Sequence, residues 1–405
     1  MIRHFIFFTA LSWMGATALY AQELTAVARV DPGPSQIEEG WFGKAEVSLH
    51  LSQGVPFRVF TLAAPPRLVV DFRDVDWSGV KATDLLANPG TVTDIRFGNF
   101  QPGWSRMVAD LAQPMLPDEV GMTIDDATGA AILSIVVAPA DAVELATRSG
   151  PPEDALWPQQ EAQEIPAPLV DDRFVVAIDP GHGGVDPGAE RDDVNEKELM
   201  LQIALELREA LLRSGVSDVV LTRESDMFVS LEGRVAIAHR SGADVFLSLH
   251  ADALSQGGAQ GATVYVLSED ASDTATAHLA ARHNRADIIA GTDLTGSDDE
   301  VASVLLDLAR QETEPRSKSL AKALVKGMTE AGGPMNRRPL RQAGFSVLKS
   351  ADIPSVLVEV GFLSSERDLK NLRDPTWRAK IVGGMARSIL MWRDADAAKR
   401  PLVRQ

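Results

Sequence analysis

The chain has 405 residues, long enough for two or three domains that each bury a core. Its composition is that of ordinary globular proteins, 45% hydrophobic and 24% charged, with no low-complexity tract. The net charge of −18 argues against nucleic acid and against an electrostatic grip on anionic lipid, and the absence of cysteine excludes disulfides, a lipid-bearing thiol and thiol catalysis.

Residues 1–21 have the pattern of a secretory signal. Arg3 and His4 give a positive start, Phe5 to Leu19 is apolar, and Ala18 and Ala21 are small residues suited to cleavage. Cleavage after Ala21 is the first choice and after Ala18 the second. The rival, an uncleaved membrane anchor, needs a span of about 20 residues, and this stretch is short for that. With the signal removed, no transmembrane anchor is expected, and the protein is placed in the periplasm.

Residues 22–138 read as a small all-β sandwich. Ala45-Glu46-Val47-Ser48-Leu49-His50-Leu51 alternates apolar and polar, as a half-buried strand does. Arg67 to Phe72, Met107 to Leu111 and Ile132 to Val137 are further strands, separated by turn signals such as Asn88-Pro89-Gly90 and Gln101-Pro102-Gly103. From 139 to 172 the prolines at 151, 152, 158, 166 and 168 lie among Glu, Asp, Gln and Ala, and the stretch reads as a linker.

From 173 to 395 strands and helices alternate, which predicts an α/β domain with a mostly parallel sheet flanked by helices. Phe174 to Ile178 is an apolar run of the kind buried on both faces. Glu196 to Arg213 is a helix, with Leu199, Ile203, Leu207 and Leu211 on one face and Asn195 and Glu198 as a capping pair. Val219 to Leu221, Val245 to Leu249, Ala262 to Leu267 and Val356 to Val360 are further strands.

Four residues stand where such a sheet meets solvent at its strand tips, where chemistry collects. His182 sits in Asp179-Pro180-Gly181-His182-Gly183-Gly184, whose glycines let backbone approach a ligand. His250 ends Val245 to Leu249, and Glu359 lies within Val356-Leu357-Val358-Glu359-Val360. A carboxylate in so apolar a run must be paired, metal-bound or raised in pKa; a buried salt bridge is the plain alternative. Glu196 opens the helix, where the macrodipole favours a carboxylate in any case. Spacing does not choose between Glu196 and Glu198 as the inward residue. Two imidazoles and a carboxylate can hold a zinc ion with one position open, and a second carboxylate can take a proton. Asp179 is either a turn former or the partner that fixes the His182 tautomer. His50, His239, His278 and His283 read as surface or packing residues. Arg223 and Arg234 read as partners of Asp226, or as a clamp for a substrate carboxylate.

These motifs resemble the zinc-dependent N-acetylmuramoyl-L-alanine amidases of bacterial cell-wall division. The likeness runs from Arg173 to Trp392 through Ile178 to Gly184, Glu196-Lys197, Leu221 to Arg234, Ser248 to Asp252 and Glu359 to Ser364. Pro66 to Phe72 and Arg106 to Leu111 resemble the AMIN domain that accompanies them. The resemblance implies zinc ligands at His182, Glu196 and His250, a catalytic carboxylate at Glu359, and peptidoglycan as substrate. It favours Glu196 over Glu198. Asp252 departs from the asparagine of many relatives.

The resemblance also implies a regulatory insert, at about 268–316 here. Val301, Val304, Leu305 and Leu308 form one apolar face, and Ser297 with Glu300 makes a capping box. In the resembling enzymes an acidic residue of this insert blocks the zinc until a LytM-type activator displaces the helix. Glu300 is the candidate here, against its plain role as a helix cap. The competing expectations for the whole chain are a secreted zinc peptidase acting on stem peptides and an inactive peptidoglycan-binding regulator.

Overall fold

The computed structural model describes residues 27–125, 127–152, 173–253, 259–291, 303–350 and 352–403, with backbone alone for 303–312 and 400–403. The expected signal, most of the linker, and Ser297 and Glu300 lie outside the described residues.

The N-terminal part is two facing sheets. Strands β1 (Ala28–Glu39), β2 (Ala45–Leu51), β3 (Phe57–Leu62), β4 (Arg67–Arg73), β5 (Val75–Asp76), β6 (Val92–Gln101), β7 (Trp104–Leu111), β8 (Met115–Ile124) and β9 (Ala131–Pro139) follow in order, with a short helix α1 (Ala82–Leu85) before β6. One sheet has the order β5-β1-β2-β9-β8 and the other β3-β4-β7-β6. Strict alternation puts Ala45, Val47, Leu49 and Leu51 inside, with Val47 opposite both Ile37 and Ile135. Across the gap Leu68, Val70 and Phe72 complete the core. A helix the sequence did not suggest, α2 (Ala142–Arg148), opens the stretch read as linker. Asp141 caps it by accepting from the Glu144 amide, and its single buried residue, Leu145, is too little to set a period.

The second part is a six-stranded sheet. Its strands are β10 (Val175–Pro180), β13 (Asp218–Leu221), β14 (Val245–His250), β15 (Ala262–Leu267), β16 (Met335–Ala343) and β17 (Ser355–Glu359); β11 (Glu190–Arg191) and β12 (Val194–Asn195) form a small separate ladder. The order is β13-β10-β14-β17-β15-β16. The first four strands are parallel; β15 and β16 are parallel to each other and run the opposite way. The helices are α3 (Glu196–Arg213), α4 (Leu231–Arg240), α5 (Thr274–His283), α6 (Ala286–Ile289), α7 (Ser303–Glu330), α8 (Glu366–Arg373) and α9 (Pro375–Val403). They cover both faces, as the apolar runs require. Val176 and Ile178 pack with α3, α7 and α9 on one face. Val175 and Ala177 pack with Ala238 of α4 and Leu279 of α5 on the other. Strand β16 was not legible because Arg337, Arg338, Pro339 and Arg341 mark it as an edge, polar and poor in β-formers. Among the described residues no helix is long and apolar enough to cross a membrane.

Candidate active site

Parallel pairing fixes the site's frame. His250 ends β14 directly opposite Glu359 at the end of β17, and β10 ends beside them at Pro180. Gly181 follows, and a Cβ there would collide with the His250 ring. His182 takes a left-handed backbone, φ 61°. Such a conformation costs about 1–3 kcal/mol for a non-glycine residue and persists when its surroundings over-determine it. Here Arg234 Nη2 donates to the His182 carbonyl at 2.9 Å, and Asp186 Oδ2 lies 2.8 Å from His182 Nδ1.

Asn195 caps α3 by accepting from the Glu198 amide, and this turns Glu196 inward while Glu198 stays exposed. Glu196 Oε1 accepts from the Ala251 amide at 2.9 Å and Oε2 from the Ala189 amide at 2.9 Å. The same Oε1 lies 3.0 Å from His250 Nδ1 and 3.3 Å from His182 Nε2. Ligand atoms that share a tetrahedral ion at about 2.1 Å stand about 3.4 Å apart, so this spacing fits a common centre. Glu359 is fully buried, and its Oε2 accepts from the Asp252 amide at 3.0 Å. The structure therefore brings His182, Glu196, His250 and Glu359 together.

Two residues join them that the sequence reading did not put in the site. His283, read as a surface or packing residue, is 6% exposed and ends α5 inside the site. Its Nε2 lies 3.4 Å from Glu359 Oε1 and 3.7 Å from Asp252 Oδ2, and its ring centroid is 4.2 Å from that of His250. Its stretch of Thr, Ala, His and Arg looks like a solvated helix face, and no local signal marks it. Asp186 was missed as well. It, and not Asp179, sets the His182 tautomer, four residues downstream in the same loop.

Asp179 has a structural task. Its carboxylate accepts from Ser248 Oγ at 2.6 Å, Thr222 Oγ1 at 2.5 Å and Arg234 Nη1 at 2.7 Å, all buried. The expected pairing of the arginines with Asp226 does not occur. Arg223 donates instead to the carbonyls of Pro180, Gly181, Ser225 and Lys197, and Asp226 pairs with Lys197. Removing one member of a buried ion pair strands the other, so Arg234→Met is expected to lower stability by about 3–5 kcal/mol. Urea unfolding checks this, and a change below about 1 kcal/mol would contradict the role assigned to the pair.

The electrostatics are those of a crowded charge centre. Burial would raise the Glu196 carboxyl, but His182 and His250 hold it well below the usual carboxylate range. Burial would lower the His182 imidazole, but Asp186 and Glu196 hold it well above the usual histidine value. Burial pulls His250 down to about 4, with His283 adding to the effect. It pushes Glu359 and Asp252 each up to about 7. Three buried polar atoms, His182 Nε2, His283 Nε2 and Glu359 Oε1, make no hydrogen bond, while Asp252 Oδ2 is ion-paired with Arg282 Nη2 at 2.6 Å. Stranded polar atoms that face one another are costly. Two compact groups, His182 with His250 and His283, and Asp252 with His283 and Glu359, each have ligand atoms within 4.8 Å of one another. A divalent cation held between His182 and His250 would satisfy the stranded His182 Nε2.

A cavity of about 20 Å³ adjoins the ligand cluster, lined by His182, His250 and His283 together with Asp179 and Arg234. That is room for about one water molecule and for no peptide.

A mostly parallel α/β sheet whose strand tips gather imidazoles and carboxylates in this spacing defines a candidate metal-hydrolase site. The profile of the N-acetylmuramoyl-L-alanine amidase family matches residues 176–391, and that of the AMIN domain matches residues 39–131. The chain is 32% identical over 350 residues to the N-acetylmuramoyl-L-alanine amidase AmiC of Escherichia coli O6:H1, covering 83% of each. It is 30% identical over 369 residues to AmiC of Neisseria meningitidis serogroup B, covering 87% of this chain and 88% of that one. Among solved structures, the catalytic domain of CwlV, an N-acetylmuramoyl-L-alanine amidase from Bacillus (Paenibacillus) polymyxa var. colistinus, is 27% identical, with 55% of this chain and 98% of that one covered and a TM-score of 0.40. The chain belongs to the N-acetylmuramoyl-L-alanine amidase family and carries an AMIN domain.

Proposed function

We propose that this enzyme hydrolyses peptidoglycan in the periplasm during cell division, cutting the amide between N-acetylmuramic acid and the L-alanine of the stem peptide. The observation that carries the reading is the meeting of His182, Glu196 and His250 on one point beside the buried Glu359. His182, Glu196 and His250 would hold zinc, which supplies Lewis-acid polarisation of a carbonyl and of a water molecule. Asp186 fixes the His182 tautomer so that Nε2 faces the centre. The Ala189 and Ala251 amides hold the Glu196 carboxylate in one orientation. Glu359, raised by burial to about 7, is placed to accept a proton from water and return it to the leaving amine. Digestion of purified sacculi tests the reaction. Released stem peptides with a free N-terminal L-alanine are expected; cuts only between stem residues would point to a peptidase instead.

The resting enzyme, on this reading, is autoinhibited. His283 comes from the insert at 268–316, and with its ring against His250 and its Nε2 3.4 Å from Glu359 Oε1 it would stand in the way of a substrate carbonyl. The expected inhibitory ligand, Glu300, remains a candidate on the same insert. Single variants separate the two: His283→Ala is expected to raise basal hydrolysis of sacculi by about 5- to 150-fold, the span of coupling energies of about 1–3 kcal/mol. An unchanged rate in a folded His283→Ala protein, with a rise in Glu300→Gln, would return the role to Glu300. A LytM-type activator would act by displacing this cover.

A further inference from the structure

The outer face of the AMIN four-stranded sheet should be a solvent face, because Leu68, Val70 and Phe72 already point into the sandwich core. Instead the alternate residues Arg67, Val69 and Asp71 are buried, as are Arg106 and Val108 on β7. What covers them is the segment just after His283. Arg67 Nη1 donates to the Ile288 carbonyl, Arg96 Nη1 to Ile289 at 3.3 Å, and Arg106 Nη1 to Ala290 at 3.1 Å and Gly291 at 2.9 Å. Three guanidinium groups thus serve four successive carbonyls at the end of α6, where a helix leaves its carbonyls unsatisfied and carries partial negative charge. Each arginine is itself fixed. Arg106 pairs with Asp71 through Nε at 2.5 Å and Nη2 at 2.9 Å, Arg96 with Asp110, and Arg67 Nε donates to the Pro65 carbonyl at 3.2 Å.

Apolar contacts complete the surface. Ala290 is fully buried with Phe100, Val108, Val185 and Phe228. A Cβ on Gly291 would stand 3.0 Å from Val108 and 3.1 Å from Val69, so only glycine fits without a shift. The β6–β7 hairpin also grips the loop after His182 and the segment after β13: the Asn99 carbonyl accepts from the Val185 amide at 3.1 Å, and Asn99 Nδ2 donates to the Asp226 carbonyl at 2.9 Å.

We propose that this face of the AMIN domain is an interaction surface for residues 288–291 of its own chain, and that Arg67, Arg96 and Arg106 thereby clamp His283 over the ligand cluster. The N-terminal domain then controls access to the site. The inference rests on the reading of His283 as a cover, and the two can fail separately.

The test uses the full chain. Arg67→Gln with Arg96→Gln removes two of the donors and leaves the buried Arg106–Asp71 pair intact. Ala290→Leu wedges the same contact from the other side. Arg148→Gln, an exposed arginine paired with Glu144, is the control. Hydrogen exchange reads the amides of Ile289, Ala290 and Gly291, which are held by backbone bonds, and those of β2 report whether the sandwich stays folded. Exchange about tenfold faster at 289–291 in both the double variant and Ala290→Leu, with β2 unchanged, is the expected result, together with faster hydrolysis of sacculi. Unchanged exchange in both would overturn the clamp. Faster exchange with no gain in hydrolysis would leave the clamp standing and overturn His283 as the cover.

Discussion

Glu359→Gln is expected to keep its metal and lose turnover by a factor of about 10²–10⁴, the usual contribution of a positioned general base. The change is nearly isosteric in a site with no spare room, since Glu359 is 0% exposed. The amide oxygen of glutamine can still accept from the Asp252 amide, so the backbone between β14 and β17 has no cause to move. What is lost is a group able to take a proton, and the ligand atoms of His182, Glu196 and His250 are untouched. Release of soluble fragments from labelled sacculi, read beside metal content per chain, checks both halves. Turnover within about tenfold of the parent enzyme would remove Glu359 from the chemistry.

His250→Ala is expected to lose the metal itself. Two of the three proposed ligands would remain, and Glu196 would face an empty pocket. Wild-type protein should therefore melt at lower temperature after chelation, by an amount that grows with the free metal it had been given; saturation at about 100 times Kd corresponds to about 2.7 kcal/mol. The variant should melt at one temperature with and without chelator. If it binds metal as tightly as wild type, His250 is not a ligand. The same titration has a predictable pH dependence. Asp186 and Glu196 hold His182 well above the usual histidine value, so a proton competes with the cation for Nε2. Occupancy should fall as pH falls, with protons released on binding.

Much of this was legible in the sequence because burial writes itself into apolar runs. Val175 to Ile178, Val245 to Leu249 and Val356 to Val358 have no polar letter except Ser248, which a two-faced buried strand demands, and that made His250 and Glu359 conspicuous at their ends. Glu196 needed the family likeness, since a helix start favours a glutamate for its own reasons. His283 left no trace, because its importance comes from where the end of α5 lands and not from its neighbours in the chain. Asp179 misled for a related reason. A carboxylate three residues from a histidine invites pairing, yet the strand turns it toward Arg234, and the left-handed turn at His182 presents Nδ1 to Asp186. The AMIN arginines sit in ordinary alternating strands, and only the covering of the outer face distinguishes them from solvated residues.

The reversal of β15 has a mechanical consequence. Because it runs against β17, the chain leaves it at the end of the sheet remote from the strand tips, and α5 must travel back along the sheet to deliver its last residue. Its root is tied to the edge strand there: Arg341 bonds Asp273 at 2.8 Å, and the Ser272 amide donates to Gln342. If His283 is the cover proposed above, that shutter is hung on the far jamb, and its free end is latched at the site by Arg282, which bonds Asp252 and Ala253 just past His250.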